Sequence, residues 1–230
     1  MTFGQVAVIW TCLTAAALAL AGLFLRGHVR ICRCFAAYLA SMVVLSSLTA
    51  LWPAIFWTWP AYLFRQGFYD VLKIGTALEL GYWAFLGFPG AAQTARVIVL
   101  LFLVATLAAI LALPNQAEAS GYLLADVRTR LEVGTAWIFT ALAALVRWYR
   151  VPLNRLHRTL IVSFTAYLLV FGTAMKLAGD LPVMRGLAAV ESLAYTAVCF
   201  WWAWEAWRPA RSPEADPAVV ALLQPWRARP

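Results

Sequence analysis

Runs of about 20 apolar residues recur along this chain, and each is long enough to cross ~30 Å of hydrocarbon as a helix. Between them lie short gaps that carry most of the arginines. In lipid every backbone N–H and C=O needs a partner, and a helix supplies it within one segment. Barrel strands would show ~10-residue segments of alternating polarity, and that pattern is missing. Of 230 residues, 64% are apolar and 12% charged. Soluble domains average about 45–50% and about 25%. A polytopic, all-α membrane protein is the class these residues imply.

The apolar runs predict seven transmembrane helices: Gln5–Leu25, Ile31–Trp52, Tyr69–Phe88, Arg96–Leu113, Leu131–Trp148, Arg158–Ala178 and Met184–Glu205. Pro53, Pro89, Pro114, Pro152 and Pro182 punctuate their ends, because proline removes a donor and clashes with the preceding turn. Phe88-Pro89-Gly90 reads as a stop for the third helix. Residues 1–207 then form the transmembrane domain. Residues 208–230, rich in Pro, Arg and Ala, form a disordered cytoplasmic tail. The aromatic stretch from Trp52 to Tyr69 predicts an interfacial belt along the outer surface, and Tyr122-Leu123-Leu124 another surface-lying turn. Trp201, Trp202, Trp204 and Trp207 read as lipid anchors of the seventh helix.

The formal net charge is +8, but its placement follows the positive-inside pattern rather than a nucleic-acid-binding face. Twelve arginines fall on one side of the predicted topology, at 26, 30, 33, 96, 147, 150, 155, 158, 208, 211, 227 and 229. Arg65, Arg128, Arg130, Lys176 and Arg185 fall on the other. The arginine-rich side is the cytoplasmic one by this rule. The expectation is a multi-pass protein of the inner (cytoplasmic) membrane, N-terminus outside and C-terminus inside. Ala19-Leu20-Ala21 resembles a signal-cleavage site, but Met1–Gln5 carries no positive side chain and the apolar stretch is long, so the first helix is read as retained.

The halves share a pattern. Arg26-x-His28 precedes Phe35-x-Ala37-Tyr38-Leu39, and Arg155-x-His157 precedes Phe164-x-Ala166-Tyr167-Leu168, with six residues between His and Phe each time. Trp10-x5-Ala16-Ala17-Leu18 matches Trp137-x5-Ala143-Ala144-Leu145, and Ala77-x-Glu79 matches Ala189-x-Glu191. Helices one to three thus align with five to seven around a fourth, connecting helix. Such a 3+1+3 parallel repeat is a known transporter build, with sites at the repeat interface.

An acid within a span is expensive and by default functional. Glu79 falls near the middle of the predicted third helix, and Glu191 is its counterpart in the seventh. With Asp70 and Lys73, three apart and able to pair, and with Tyr167 and Tyr195, these are the candidate ligand- or ion-binding residues. Glu132 and Lys176 extend the same outer vestibule. The bland counterpart is a static polar knot between helices. His28 and His157, the two histidines, sit at the arginine-rich helix ends. They read as interfacial capping groups rather than haem or metal ligands. Cys12 and Cys199 read as core residues. Cys32 and Cys34 lack zinc-ligand spacing, so no metal site is expected.

Zincin, serine-hydrolase and phosphate-loop motifs are absent. The seventh helix has no lysine for a Schiff base. Neither an enzyme nor a cofactor is expected. Phe35-Ala36-Ala37-Tyr38-Leu39, Ala77-Leu78-Glu79-Leu80 and Gly87-Phe88-Pro89-Gly90-Ala91 resemble segments of uncharacterised bacterial seven-span membrane proteins. In layout the chain also resembles 3+1+3 facilitators and the seven-span sensor modules that precede some histidine kinases. These resemblances imply a sensory, ligand-binding or accessory membrane subunit. Its partners would be the bilayer, other membrane subunits and a small-molecule ligand, with no nucleic acid. The alternative is a small-solute or proton-coupled carrier using the Glu79/Glu191 pair.

Overall fold

A computed structural model describes residues 3–86, 89–111, 120–180 and 184–209, which are helical with no strands. The helices are α1 (Phe3–Leu25), α2 (Arg33–Leu51), α3 (Pro53–Phe56), α4 (Trp59–Phe85), α5 (Pro89–Leu111), α6 (Ser120–Trp148), α7 (Arg155–Asp180) and α8 (Met184–Trp207). A 3-10 turn, His28–Ile31, leads into α2. Gly27 precedes it at φ +70°, a left-handed conformation that glycine adopts without strain.

Among the described residues, three helical stretches are long and apolar enough to cross a membrane: Ala7–Leu25, Arg33–Leu51 and Arg130–Trp148. α4 is longer still but carries Asp70, Lys73 and Glu79. Large apolar side chains point outward from most helices, among them Ile9, Phe24, Val71, Leu78, Leu100, Leu101 and Leu169. An apolar exterior of this extent suits lipid contact.

Three helix starts differ from those read off hydropathy. α4 begins at Trp59 rather than Tyr69, α5 at Pro89 rather than Arg96, and α6 at Ser120 rather than Leu131. The added segments mix polar and apolar residues, so an apolar window does not register them although the backbone is already helical. Pro60 suits the first turn of α4, where its missing N–H has no helical partner to lose. Only the single turn of α3 remains of the surface-lying segment expected over Trp52–Tyr69, and Tyr122-Leu123-Leu124 lies within α6. The tail beyond Pro209, Phe88 and the prolines at 114 and 182 lie outside the described residues.

Helices do not gain hydrophobic driving force from meeting inside lipid. Close packing and interhelical hydrogen bonds hold them instead. α1 buries the small residues Ala15, Ala16 and Ala19, and its Gly22 meets α8. A Cβ on Gly22 would lie 3.0 Å from the Ala206 Cβ and 3.1 Å from its backbone carbon, so glycine is what lets the two backbones approach. Cys12 faces Cys199 and Gly22 faces Ala206, so α1 and α8 run parallel. α5 and α6 are equally tight where Gly134 meets Thr106.

At the centre is a block of aromatic rings from α2, α6, α7 and α8. Phe164 lies 4.8 Å from Trp202 and 4.9 Å from Phe139, and Phe35 packs edge-on to both Phe164 (6.0 Å) and Trp202 (5.1 Å). Trp202 is fully buried and its indole N–H donates to Ser163 Oγ at 2.7 Å. It is therefore a core residue and not a lipid anchor. Trp201, Trp204 and Trp207 remain exposed. One face of α8 points into the bundle, and four clustered tryptophans fall on more than one face of a 3.6-residue helix.

Candidate functional cavity

A cavity of about 440 Å³ lies among α1, α2, α4, α6, α7 and α8, toward the C-terminal end of α2. Apolar and aromatic walls come from Leu13, Met42, Trp57 and four tyrosines, Tyr38, Tyr69, Tyr167 and Tyr195. Polar groups come from Ser46, Thr49, Arg65, Lys73, Glu132 and Glu191. An apolar concavity with a few convergent polar groups is the usual form of a small-molecule site. Ile9 and Trp10 line it while about half of each faces outward (45% and 51% exposed), so the cavity reaches the outer surface of α1.

The tyrosines form two contacts within the bundle: Tyr38 on α2 with Tyr69 on α4 at 5.9 Å, and Tyr167 on α7 with Tyr195 on α8 at 4.9 Å. A 2.6 Å hydrogen bond joins the hydroxyls of Tyr38 and Tyr195. Tyr195 donates to Met42 Sδ at 3.1 Å, so Tyr38 is the donor of the shared bond. The Tyr69 hydroxyl is buried beside Ser46 and, among the described residues, makes no hydrogen bond of good geometry. A buried donor left unmade costs about 1–3 kcal/mol.

The charged groups are mostly held. Lys73 Nζ donates to Asp70 Oδ1 at 2.7 Å, with both side chains nearly removed from solvent. Asp70 backs Lys73 and is not itself a lining residue. Arg65 donates to Thr49 Oγ1 at 3.0 Å and covers the Tyr62 ring. Lys73, Glu191, Tyr167 and Tyr195 are thus brought together around one space, with Glu132 beside them. The side chain of Lys176 lies outside the described residues.

Glu79 is elsewhere. Both its carboxylate oxygens accept backbone N–H groups of α2, from Arg33 and from Cys34, each at 2.7 Å. The first N–H groups of a helix have no partner within it, and Cys32 at the cap position makes no side-chain hydrogen bond. Glu79 caps α2 from a neighbouring helix. With α4 starting at Trp59, Glu79 falls near that helix's C-terminal end rather than its middle. It does not line the cavity, and it does not form one site with Glu191.

The histidines sit at this same capped end. His157 Nε2–H donates to the Ile31 carbonyl at 3.2 Å, and His28 Nε2–H to the Arg208 carbonyl at 3.4 Å. Burial lowers the pKa of both. Arg26 adds to the lowering at His28, while the Ile31 carbonyl and Glu79 pull His157 partly back. Glu205, 6% exposed, holds Arg155 at 3.0 Å and Arg208 at 3.3 Å. Among the described residues no three His, Cys, Asp or Glu side chains cluster as metal ligands.

Sequence reasoning did not assign Arg65, Tyr38 and Tyr69 to a site. Tyr38 stands in the repeated motif and Tyr69 at a helix start, but only tertiary packing sets them around one space. The Cys12 and Cys199 sulfurs, 187 positions apart in sequence, meet at 3.6 Å, which no local pattern announces. No protein-family model, curated protein or solved structure was found to match the chain.

Proposed function

We propose that the chain is a seven-span module of the inner membrane that holds a small amphipathic ligand between two related helix triplets and acts as a sensory or accessory subunit. The observation that carries this reading is the Tyr69 hydroxyl in the cavity wall, buried beside Ser46 without a hydrogen bond of good geometry. A ligand oxygen supplies the acceptor it lacks, and aromatic walls take the apolar remainder. No catalytic step is assigned to the cavity.

The triplets are α1, α2, α4 and α6, α7, α8, with α5 as connector. The tyrosine contacts favour a register in which Tyr69 corresponds to Tyr195 and Glu79 to Glu205, each 126 positions on. In that register Glu79 serves the start of α2, and Glu205 holds Arg155 at the start of α7. The helix ends agree: α4 starts at Trp59 and α8 at Met184, 125 apart, and α2 ends at Leu51 and α7 at Asp180, 129 apart. The match of Glu79 with Glu191 requires a shift of 112 and leaves the ends out of step. Repeats that place a site at their interface favour the cavity as that site. The arginine-rich end, with Arg26, Arg30, Arg33, Arg147, Arg150, Arg155 and Arg158, is assigned to the cytoplasm.

The test is thermal stability in detergent against a fatty acid, a fully substituted short-tail quinone and an alkylammonium, with Met42→Trp filling the cavity. At least one compound raises the melting temperature of the wild type in a dose-dependent way and leaves Met42→Trp unmoved. Equal shifts in both proteins, or none in either, count against the cavity as a site. A carrier is the second reading, favoured by the buried Lys73–Asp70 pair beside Glu132 and Glu191. It predicts proteoliposome flux that Glu191→Gln abolishes, and unchanged or absent flux removes it.

A further inference from the structure

We infer that Cys12 and Cys199 form a redox-active dithiol in the wall of this cavity, oxidised to a disulfide by a lipid-soluble quinone bound there. The inference rests on the cavity being a ligand site, and names its ligand class and its regulation. The two Sγ atoms are 3.6 Å apart across the parallel α1–α8 contact. A disulfide needs about 2.05 Å, so forming it requires side-chain rotation and a small approach of two already adjacent helices. Cys12 lines the cavity and Cys199 is fully buried behind it. The pair is therefore reached through the cavity.

An oxidant that comes to these sulfurs has to enter an apolar space, accept two electrons and tolerate aromatic walls. The cavity offers rings at Tyr38, Tyr69, Tyr195 and Trp10 for a flat ligand to pack against, and the Tyr69 O–H for a quinone carbonyl. The step balances as two thiols plus one quinone giving one disulfide plus one quinol. Both S–H bonds break and the S–S bond forms. The two electrons and two protons end on the quinone, whose carbonyl oxygens become hydroxyls. Closing the bond ties α1 to α8 at the Cys12 end of the seam that Gly22 and Ala206 hold close further along, so the state of the membrane quinone becomes a covalent state of this seam.

The experiment uses the purified full chain in detergent, reduced and then freed of reductant without air. A fully substituted short-tail quinone is added, because its occupied ring positions disfavour direct thiol addition. Free thiols, quinol absorbance and the masses of the peptides bearing Cys12 and Cys199 are followed. The wild type is expected to lose two of its four thiols, to form one quinol per disulfide, and to show the linked peptides two hydrogens lighter. Cys12→Ala and Cys199→Ala form neither quinol nor link. Tyr69→Phe slows the reaction at sub-saturating quinone about tenfold, the worth of one hydrogen bond. Hydrogen peroxide run in parallel reports whether the two sulfurs can join at all. No link with either oxidant overturns the dithiol and leaves a packed thiol pair. A link with peroxide alone overturns the quinone assignment. A link formed by quinone at an equal rate in Met42→Trp keeps the dithiol but removes the cavity as the route, and so overturns the inference as stated.

Discussion

Glu79 supplies to α2 the acceptor that Cys32 fails to provide at its cap. Replacing it with alanine leaves two backbone N–H groups of Arg33 and Cys34 without their carboxylate. Hydrogen bonds to a charged group are worth about 1.5–3 kcal/mol each when buried. The site is partly exposed, so Glu79→Ala is expected to cost about 2 kcal/mol in total. Glu79→Asp restores part of that only if the shorter side chain still reaches. The expected pattern is lower thermal stability with ligand affinity per folded molecule unchanged. A Glu79 variant that keeps its melting temperature but loses ligand binding contradicts the capping role. The histidines give a pH dependence at the same end. Burial holds both imidazoles neutral in the folded protein, with pKa values below the ordinary one. The unfolded chain therefore takes up protons first, as pH falls through about 6.5. Stability is full above that value and declines below it, toward the lowered folded pKa values. Melting curves between about pH 7.5 and 5 should show this decline, and His28→Asn with His157→Asn should flatten it. A double variant with the same slope as the wild type assigns the acid sensitivity to other groups.

Helix existence was legible because about 20 apolar residues in lipid admit little else. The starts of α4, α5 and α6 were not, because Trp59–Phe68, Pro89–Ala95 and Ser120–Arg130 are helical by backbone and mixed by side chain. Lys73, Tyr167, Tyr195 and Glu191 stood out as polar or aromatic groups within spans, and they do share a cavity. Glu79 stood out for the same reason, yet its partners are backbone groups of a helix 45 residues away in sequence. Rarity of a charge at depth flags a residue as constrained without saying whether the constraint is a ligand or a cap. The α1–α8 seam offers a test at the level of elements. Gly22→Val puts a branched side chain where a single Cβ already meets Ala206 at 3.0 Å and Trp207 at 3.0 Å. Overpacking of this kind costs about 1–3 kcal/mol. The helices are expected to separate, lowering the melting temperature. The same separation takes Cys12 away from Cys199, so peroxide-driven cross-linking should slow in Gly22→Val. Undiminished cross-linking and stability would show the seam to be looser than its glycine implies.

At the scale of the whole molecule, direct contacts link the two triplets proposed above. α1 packs on α8 and α4 on α6, so the first helix of each triplet meets the third helix of the other. α2 and α7 meet at the centre through Phe35 and Phe164, the two phenylalanines that the repeated motif pairs. A parallel arrangement of this kind requires an odd connector, and α5 is the helix available for it. The topology that follows can be checked without any ligand. α1, α4, α6 and α8 must run one way and α2, α5 and α7 the other, with Thr58 at one membrane face and Asn154 at the opposite one. Each position is to be made the sole cysteine in a chain whose native cysteines are alanine, and treated in intact cells with a membrane-impermeant maleimide. Thr58→Cys is expected to label at once and Asn154→Cys only after permeabilisation, because arginines gather at the Asn154 end. The reverse order would invert the assigned orientation. Labelling of both without permeabilisation would remove the seven-span reading, and with it the inference that the cavity lies within the bilayer.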